Sequence, residues 1–570
     1  MTSLTVNDVT YWLPQNNDDV IQLVNDAIAN NEIICVRGAA HSFPLIGKLE
    51  QAKKSLATGK NYKFLMLSYM DTVHIENNIV TVEAGCHLGP DPWALPKESD
   101  QKKLEKSLLY QLDQQKLAIA DLGGITHQTV GGFLSTASSG GSTQFSFEEA
   151  LLSIDIVTCE NGKATLKTFT KPDDGNLDDP FYGAGAATMG LFGVIVSAKF
   201  KCIPQFYIKG QEAITTVDNC AIALFESGKS SSGKPDLQTF LENTQYTRLL
   251  WWPQQNVNKM VVWQAQQTDQ EGAYNFAADA LELMYGKDKE PKFIRPLNAL
   301  KPYQDVPLIF GSPTPAEMGA DLLFTAIGRW PNWLSDLMGT DTDEYKKITG
   351  LVDTFFFPYI FPKLLDVFVA TDKPDNANKG PQQFADVWYT GIPMDNGMSD
   401  KLFPIWFTEL WIDISKTQEV MKDLLNFYNE GFQNTGAFCC EIYAARHSSF
   451  WLSPSYSPYS PVEKEMVNRI RIDVFWFANN TGGPEKFYQQ FWDLLSKYNY
   501  RPHWGKYLPD TVKLTDSSVN PPVVTYQPGP TYLKNNYPKW DKWVALQKQL
   551  DPHQVFVNDY WRQHLGITDE

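Results

Sequence analysis

The sequence predicts a large α+β protein with several domains. With 570 residues, the chain should fold into two to four domains, because one domain usually holds about 100 to 200 residues. Hydrophobic residues make up 43% of the chain and charged residues 20%, a composition that excludes a disordered or fibrous protein. Strand-like segments outnumber helical ones in the first third, and the two types alternate in the middle. We therefore expect an α+β fold.

The first third begins with one helix and continues mainly with strands. Asp18 and Asp19 precede a stripe of apolar residues at helical spacing, which predicts a capped helix. Residues 32–37 (EIICVR) have the composition of a buried strand. Two alternating segments turn at residues 77–78 (Asn-Asn) and 161–162 (Asn-Gly), which predicts two β-hairpins.

Tryptophan marks a second domain in the middle of the chain. Two of the 17 tryptophans precede residue 206, and 11 lie between residues 206 and 500. Helical and β-like segments alternate here, which predicts an antiparallel sheet backed by helices. The helical segments include 272–284 and 416–428, and the β-like segments include 259–264 and 469–477. We expect a first domain at 1–205, a second domain at 206–500, and a C-terminal segment at 501–570 that returns to the first domain and closes the active site.

Charge and composition exclude several classes of partner. The net charge of −17 would repel nucleic acid and anionic membranes over most of the surface. The N-terminal segment has neither the basic nor the apolar region of a signal peptide, so we expect a cytoplasmic location. The most apolar window, residues 353–370, is broken by prolines and charges and should not cross a bilayer. Seven cysteines without a CxxC pair should be buried thiols, and we expect no metal site.

A glycine-rich segment, residues 122–142 (LGGITHQTVGGFLSTASSGGS), interrupts the pattern of the first domain. Glycine lets backbone N–H groups approach a ligand closely, and serine and threonine add hydroxyl donors. Apolar Val130, Phe133 and Leu134 favour a buried turn over a solvated loop. The segment therefore predicts a site for an anionic group such as phosphate. A nicotinamide-dinucleotide fingerprint is excluded at residues 183–190, because one required glycine is missing and no apolar strand precedes the pattern.

His41 lies in VRGAAHSF, directly after the predicted strand. The small residues beside it leave room for a ring system. A single histidine is most often a satisfied core or surface residue, so His41 taken alone does not predict a function.

Four motifs follow one another in the first domain: VRGAAHSF, IVTVEAGCHLG, LGGITHQTVGGFLSTASSGG and DDPFYGAGAATMGLFGVIVSAKF. In this order they resemble the FAD-binding domain of the vanillyl-alcohol oxidase/p-cresol methylhydroxylase (PCMH) superfamily. Farther on, EIYAARHSSFWLSPSY, RPHWGK and DPHQVFVNDYW are similar to the aldonolactone/alditol oxidase branch. The overall layout also resembles the covalent-flavin cholesterol oxidases. The resemblance implies a PCMH-type FAD-binding domain of two α+β subdomains, but it hardly touches residues 206–400.

The resemblance also implies which residues hold FAD. Residues 37–43 would surround the pyrophosphate and flavin, with His41 bonded to the flavin 8α-methyl group. The glycine-rich segment would contact the pyrophosphate and isoalloxazine, with Thr129 near the flavin, and residues 193–195 would face adenine. A second covalent link is not expected, because the glycine-rich segment contains no cysteine. The implied cofactor-binding residues are Arg37, Gly38, Ala39, Ala40, His41, Ser42, Phe43, Gly123, Gly124, Thr129, Val130, Gly131, Gly132, Ser135, Thr136, Ser139, Gly193, Val194, Ile195 and Asn558.

Oxidation of an alcohol on a flavin needs little from the protein, because the flavin supplies the redox chemistry. The protein must provide a base for the hydroxyl proton, a partner for the developing alkoxide charge and a pocket. The resemblance selects Glu441, Lys506 and Glu409 for these tasks, with His503 close by in sequence. Without the resemblance, Glu441 would be interpreted as a solvated carboxylate and RPHWGK as a surface turn.

Two departures from the family pattern bear on the substrate. Relatives read Glu-Ile/Val-Arg where this chain has Glu441, Ile442 and Tyr443, and the polar histidine of their HFTW strand is replaced near Val474. Arg446 could take the place of the arginine, but its spacing differs. Loss of a planar bidentate donor weakens recognition of polyhydroxy compounds. We therefore expect an apolar or aromatic alcohol, although most large aromatic residues simply form core. The aromatic residues behind this expectation are Trp388, Tyr389, Trp406, Trp411, Trp451 and Trp476.

The implied activity is that of an FAD-dependent oxidase of CH–OH groups, with O2 as acceptor and H2O2 as product. Gly123 favours O2, since dehydrogenase members of the family often have alanine there. Two alternatives stay open. The same fold could use a quinone or protein acceptor, which would yield no H2O2, or the protein could be a binding protein without redox activity, which would be colourless.

Overall fold

The computed structural model describes most of the chain, with the longest gap at residues 272–337. The described residues are 1–6, 8–39, 41–42, 45–91, 99–226, 233–254, 257–271, 338–339, 342–351, 354–355, 359, 381–393, 405–430, 439–457, 466–477, 484–508, 512–516, 523–527 and 529–568. Mixed helices and antiparallel sheets confirm the predicted α+β class. The helix predicted at 272–284 and most of the apolar window at 353–370 lie outside the described residues.

The N-terminal part contains two main sheets. Its elements are β1 (Thr2–Val6), β2 (Val9–Leu13), α1 (Asn17–Asn30), β3 (Ile33–Val36), α2 (Leu45–Ala52), β4 (Tyr62–Leu65), β5 (Val73–Glu76), β6 (Ile79–Glu83), α3 (Asp100–Lys106), α4 (Leu108–Gln114), β7 (Leu117–Ala118), α5 (Val130–Ser135), β8 (Leu151–Thr158), β9 (Thr165–Thr170), α6 (Phe181–Ala184), β10 (Val194–Lys201) and β11 (Ile203–Pro204). One sheet has the order β1-β2-β4-β3, and the other has the order β5-β6-β10-β8-β9.

Several local predictions for this part are confirmed. Helix α1 is capped by Asn16, whose side chain accepts the Asp19 N–H at 3.0 Å, and its apolar stripe is buried. The two hairpins form as antiparallel β5–β6 and β8–β9 pairs. Their turns use Asn77 and Asn161 in left-handed conformation, with φ of 56° and 53°, a region that asparagine tolerates better than most residues.

The remaining elements are built around one large antiparallel sheet. They are β12 (Tyr207–Thr216), α7 (Leu237–Asn243), β13 (Tyr246–Trp252), β14 (Lys259–Thr268), α8 (Asp343–Leu351), β15 (Gln382–Val387), α9 (Trp388–Gly391), β16 (Ile405–Asp413), α10 (Thr417–Asn429), β17 (Cys440–Ala445), β18 (Arg469–Phe477), α11 (Glu485–Leu495), β19 (Arg501–Pro502), β20 (Val512–Asp516), β21 (Val523–Gln527), α12 (Pro530–Asn536), α13 (Trp540–Leu550) and α14 (Asp559–Leu565). The eight-stranded sheet has the order β15-β12-β14-β13-β17-β18-β16-β19.

One face of this sheet is apolar and covered by helices. Ile442, Ile472 and Leu410 lie side by side across β17, β18 and β16 and are fully buried. Helix α11 packs here, since the Trp492 indole N–H donates to Thr408 Oγ1 at 3.1 Å and the Tyr488 hydroxyl donates to the Trp406 carbonyl at 2.6 Å. The opposite face of the three strands is therefore the one left for polar residues.

The C-terminal segment packs against the N-terminal sheets. The Val555 carbonyl accepts the Ile34 N–H at 2.7 Å, and the Leu550 carbonyl accepts the Cys159 N–H at 2.8 Å. The seven cysteines are free and buried. None of the described helices combines the length and the apolar composition needed to cross a membrane.

Candidate active site

The face of the large sheet opposite α11 carries a row of three carboxyl groups. Glu441 pairs with Asp473 across β17 and β18, and Asp473 pairs with Glu409 across β18 and β16. Directly paired residues of an antiparallel sheet point to the same face, with Cβ atoms about 4.5–5.5 Å apart. All three carboxyl groups are buried. We call Glu441, Asp473 and Glu409 the carboxylate row.

A second row beside it carries a guanidinium group between two aromatic rings. Tyr443 pairs with Arg471, and Arg471 pairs with Trp411. The Arg471 guanidinium carbon lies 3.9 Å from the centre of the Tyr443 ring and 4.4 Å from the centre of the Trp411 ring. Arg471 is 3% exposed, so its charge is compensated by protein groups.

Arg471 joins the sheet to the glycine-rich segment. Its Nε–H donates to Glu409 at 2.6 Å, and its Nη1 group donates to the Ser139 and Gly140 carbonyls, both at 2.8 Å. Its Nη2 group donates to the Tyr443 hydroxyl at 2.9 Å. The guanidinium that the Glu441–Tyr443 motif lacks is thus supplied by the neighbouring strand.

Arg446, which could have replaced the arginine of relatives, and Val474, near the position of their histidine, both lie away from the carboxylate row. Arg446 forms an ion pair with Glu149 at 2.9 Å and donates to the Gln144 carbonyl. Val474 pairs with Cys440 and Thr408 and belongs to the apolar core on the other face. Neither residue is therefore part of the polar surface on this side of the sheet.

The two outer members of the carboxylate row have cationic partners. Glu441 is ion-paired with Arg248 of β13, and Glu409 is ion-paired with Arg471. Burial opposes ionisation of Glu409, but the positive charges of Arg471 and Lys506 outweigh it and lower its pKa to about 2. Glu409 is therefore ionised at neutral pH.

The C-terminal motif RPHWGK borders the same row. The His503 N–H donates to the Glu409 carbonyl at 3.0 Å, and the His503 Nδ1 atom accepts the Gly505 N–H at 3.0 Å. Burial lowers the pKa of His503 to about 3, so its ring is neutral. The Lys506 ammonium lies 3.3 Å from the centre of the Phe407 ring. Trp504 instead donates its indole N–H to the Leu452 carbonyl at 2.6 Å and is buried.

The segment that contains His41 reaches the sheet at Phe407. The centres of the His41 and Phe407 rings lie 6.1 Å apart, and His41 also contacts His127 with ring nitrogens 3.4 Å apart. A Cβ atom built on Gly38 would lie 2.8 Å from the Thr129 hydroxyl, so this segment lies directly against the glycine-rich segment. Arg37 turns away and forms an ion pair with Glu50 at 2.7 Å.

Gly505 marks the place where three predicted motifs meet. A Cβ atom built there would lie 3.3 Å from Ser42 Oγ, 3.2 Å from Thr136 Cγ2 and 3.2 Å from His503 Cε1. The His41 segment, the glycine-rich segment and RPHWGK therefore converge beside the carboxylate row.

The glycine-rich segment uses several of its donors within the protein. The N–H groups of Val130 and Gly131 donate to the Cys86 and Ala84 carbonyls, both at 2.9 Å, and the Gly132 N–H donates to Thr129 Oγ1 at 3.1 Å. These bonds fix the start of α5 to the end of β6, and a Cβ atom on Gly131 would lie 3.1 Å from that of Ala84. Close backbone packing thus explains Gly131 without a ligand.

The hydroxyl groups of this segment are also engaged. Ser135 donates to the Gly131 carbonyl at 2.6 Å, Thr136 to the Gly132 carbonyl at 3.3 Å, and Ser139 to Asp121 at 3.0 Å. Their expected contacts with FAD stay predictions.

The other implied cofactor residues are dispersed. Gly193, Val194 and Ile195 lead into β10, where Val194 and Ile195 pair with β8. Asn558 caps α14, and its side chain accepts the Trp561 N–H at 3.1 Å. Gly123 is buried, whereas Gly124 is exposed and Ala39 half-buried. Ala40 and Phe43 lie outside the described residues.

The residues present fit a flavin between His41 and the carboxylate row. His41, Ser42 and Phe407 are half-buried and border one region together with Lys506. Asp473 Oδ1 and Glu409 Oε2 are buried there without a hydrogen-bond partner among the described residues. A site of this kind places a histidine ring, a cation and an ionised carboxylate, Glu409, at one place, which suits a cofactor that works on a hydroxyl group.

Sequence reasoning missed three residues of this site: Arg471, Asp473 and Arg248. The segment RIRIDVF alternates polar with β-branched residues, and this alternation was the available signal. In a strand of period 2, Arg471 and Asp473 must share a face opposite Ile470, Ile472 and Val474. Arg248 had no such signal, because its pairing with Glu441 depends on the order of strands.

Comparisons with known proteins agree with this arrangement. A family model described as D-arabinono-1,4-lactone oxidase matches residues 360–564. The D-arabinono-1,4-lactone oxidase of Saccharomyces cerevisiae is 25% identical, over 98% of this chain and 94% of its own length. The L-gulonolactone oxidase of Mus musculus is 20% identical over 81% of each chain. The solved cholesterol oxidase of B. sterolicum shares the fold, with a TM-score of 0.63 and 16% identity over 98% of this chain and 94% of that chain. These matches and the shared fold fit the superfamily of FAD-linked oxidases that the motifs resemble.

Proposed function

We propose that this protein is an FAD-dependent oxidase that oxidises a CH–OH group of a small molecule and passes the electrons to O2, forming H2O2. The observation that carries the proposal is the convergence of His41, the glycine-rich segment and Lys506 on the carboxylate row. Relatives aligned over most of the chain are lactone oxidases, which supports the same reaction class.

His41 is the proposed covalent attachment point of FAD. Bound FAD would supply the acceptor for the substrate hydride and the route of the electrons to O2. His41 is half-buried beside the rings of His127 and Phe407, so it is held in a defined position. Thr129, Ser42 and Thr136 lie close to this region and are proposed to border the cofactor.

Removal of the hydroxyl proton is the task of the chain itself. Hydride loss from carbon requires this proton to leave, and the oxygen carries negative charge as it does so. Lys506 lies at Phe407 and contributes a positive charge for that oxygen. Glu441, Glu409 and His503 are the proposed members of the proton-transfer group, with Tyr443 of the second row donating a hydrogen bond to the carboxylate row. Glu441 faces the guanidinium of Arg248, and Arg471 keeps Glu409 ionised.

The substrate is proposed to be a hydroxylated compound such as an aldonolactone. Glu441, Glu409, Lys506 and Arg471 place several polar groups at one face of the sheet, and buried polar groups need partners. The expectation of an apolar or aromatic alcohol was based on six aromatic residues, and fewer of them can now line a substrate pocket. Trp388, Trp451 and Trp476 are buried in the core, and Trp411 is buried against Arg471, whereas Phe407, Trp406 and Tyr389 are half-buried. Phe407, which lies at the site, keeps an apolar alcohol as the second candidate, while Trp406 and Tyr389 pack against the core.

O2 is the proposed acceptor, and Gly123 is the residue that supports it. A Cβ atom on Gly123 would lie 3.2 Å from the Phe133 ring, so alanine would fill space beside the glycine-rich segment. An enzyme that used a quinone or a protein as electron acceptor would oxidise its substrate without forming H2O2.

The proposal is tested by steady-state assays of H2O2 formation with D-arabinono-1,4-lactone, L-gulonolactone, xylitol and an aromatic alcohol. A higher kcat/KM for the lactones than for the aromatic alcohol supports a hydroxylated substrate. A higher kcat/KM for the aromatic alcohol supports the apolar candidate instead. Turnover with an artificial dye but not with O2 would identify a dehydrogenase. A purified protein without flavin colour would contradict the proposal as a whole.

A further inference from the structure

The centre of the carboxylate row lacks the cation that both of its neighbours have. Arg248 faces Glu441 and Arg471 faces Glu409. Asp473, between them, accepts a hydrogen bond from the Tyr443 hydroxyl at 3.2 Å on Oδ2 and forms no ion pair with a described residue. Asp473 is 1% exposed, so bulk water does not compensate its charge either.

Asp473 and Glu409 each have one carboxyl oxygen that lacks a hydrogen-bond partner among the described residues, and we call these two atoms the vacant oxygens. Asp473 Oδ1 and Glu409 Oε2 are both buried and have no hydrogen-bond partner among the described residues. The two residues are directly paired across β18 and β16, so their side chains stand next to each other on one face. Two ionised carboxylates on directly paired residues in a buried site repel each other strongly. A single proton between them removes the repulsion.

We infer that Asp473 and Glu409 share one proton, so that Asp473 is a neutral carboxylic acid whose hydroxyl donates to the ionised Glu409. This arrangement gives both vacant oxygens a partner. It also explains why two guanidinium groups suffice for three carboxyl groups.

The charged and titratable groups around Asp473 agree with this assignment. They are Glu409 on β16, Glu441 and Tyr443 on β17, Arg471 on β18, Arg248 on β13, and His503 and Lys506 after β19. Burial and the charge of Glu409 raise the pKa of Asp473 well above its usual range, against the opposing effects of Lys506 and Arg471. The pKa of Glu409 moves the opposite way. Opposite shifts of two neighbouring carboxyls are what a pair with one proton produces.

A neutral Asp473 has a consequence for the proposed reaction, on which this part of the inference rests. If Asp473 were ionised, it would cancel part of the positive charge of Lys506 at the site. With Asp473 protonated, that charge stays available for the oxygen that loses its proton. Asp473 is thus a positioning residue that sets the electrostatic balance of the site, and its ionisation at high pH should slow substrate oxidation.

The kinetic test is Asp473→Asn, because asparagine mimics the neutral acid in shape and charge. Flavin reduction by substrate should stay within about fivefold of the unaltered protein at neutral pH, and the decline of rate at alkaline pH should disappear. A loss of about 10²-fold or more at neutral pH, with normal flavin content, would overturn the inference, since that is the effect of removing a general base.

An infrared measurement tests the shared proton without any substrate. The difference spectrum between the unaltered protein and Asp473→Asn at neutral pH should contain a C=O band of a protonated carboxyl group. Glu409→Gln should also abolish this band, because Asp473 then ionises beside Arg471. Glu212→Gln serves as the matched control, since burial raises the pKa of Glu212 to about 8 and its band should be separate.

Absence of the Asp473 band in the unaltered protein would overturn the inference, whether or not the protein oxidises an alcohol. If Asp473→Asn does not fold, the Glu409→Gln spectrum decides alone, and survival of the band in that variant counts against the pair. Failure of the proposed function would instead appear as absence of flavin, which leaves the infrared result unaffected.

Discussion

Arg471 brings a guanidinium to Tyr443 from the neighbouring strand. The Glu441–Tyr443 motif has a phenol where relatives have a guanidinium, and Arg471 stands directly opposite that phenol. Cross-strand pairing was not deducible from the motif, because it depends on the register of β17 and β18. The chemistry expected at the site was therefore predictable, but the residue that supplies it was not.

His41 gives the most direct prediction at the residue scale. Acid precipitation of the purified protein should leave the yellow colour in the pellet, because a covalent bond survives unfolding. His41→Ala should release the colour to the supernatant, whereas His74→Ala, on the hairpin strand β5, should not. Colour lost from the unaltered protein would show that FAD is bound without a covalent link.

Lys506 and Glu441 give a second residue-scale prediction. Lys506→Met and Glu441→Gln should each slow flavin reduction by about 10²-fold or more, the lower limit for loss of general acid–base catalysis. Flavin content should stay normal, because neither residue belongs to the His41 segment. Lys497→Met and Glu419→Gln remove exposed charges of the same types and are the matched controls. Normal reduction rates in both site variants would move the proton transfer to Glu409 or His503.

At the scale of elements, the spacing of apolar residues along the sequence predicted strands and helices well where one face of the element is buried. Strand β18 has the predicted bounds Arg469–Phe477, and α10 begins one residue after the predicted start. The glycine-rich segment was harder to interpret. Its glycines were expected to face a ligand; Gly131 packs against Ala84 just after β6, and the Gly132 N–H donates to the Thr129 cap of α5. Composition cannot distinguish a backbone that approaches a ligand from one that approaches another strand.

Helix α6 shows the same use of glycine at a contact between elements and leads to a stability prediction. A Cβ atom on Gly183 would lie 2.6 Å from the Trp451 ring, and the Trp451 N–H donates to the Tyr182 carbonyl at 2.8 Å. Gly183→Ala should therefore destabilise the protein by about 1–3 kcal/mol through overpacking.

The matched control for this prediction is Gly350→Ala in α8. Apart from its chain neighbours and the backbone of its own helix, no atom of the described residues lies within 4 Å of a Cβ atom built on Gly350, so alanine should be neutral or stabilise by up to about 1 kcal/mol. Denaturant unfolding of both variants checks the difference. Equal stability of the two would mean that Trp451 can move away from α6 without cost.

At the scale of the whole molecule, a buried acid connects the N-terminal part with the segment after β17. Glu148 accepts a hydrogen bond from Ser448, and burial raises its pKa to about 7. The folded protein thus holds a proton on Glu148 between about pH 4.5 and pH 7 that the unfolded chain releases. This group contributes most stability below its unfolded pKa, and the contribution is lost as pH rises through 7.

Glu148→Gln should remove this pH dependence, because the amide stays neutral. Relative to the unaltered protein, the variant should gain stability between pH 5 and pH 8 by an amount of the order of 3 kcal/mol, since one pKa unit corresponds to about 1.4 kcal/mol. Unfolding midpoints across that pH range measure the gain. An offset that is constant with pH would show that Glu148 is already ionised in the folded protein.

The whole account depends on a flavin that accepts hydride from a CH–OH group and returns the electrons to O2. The measurement that tests it most directly is anaerobic mixing of the purified protein with aldonolactones, sugars, aromatic alcohols and sterols while flavin absorbance is followed. At least one hydroxylated compound should bleach the flavin, and admission of O2 should restore the colour with an equimolar amount of H2O2. A flavin that a chemical reductant bleaches but none of these compounds does, or a protein without flavin, would contradict the account.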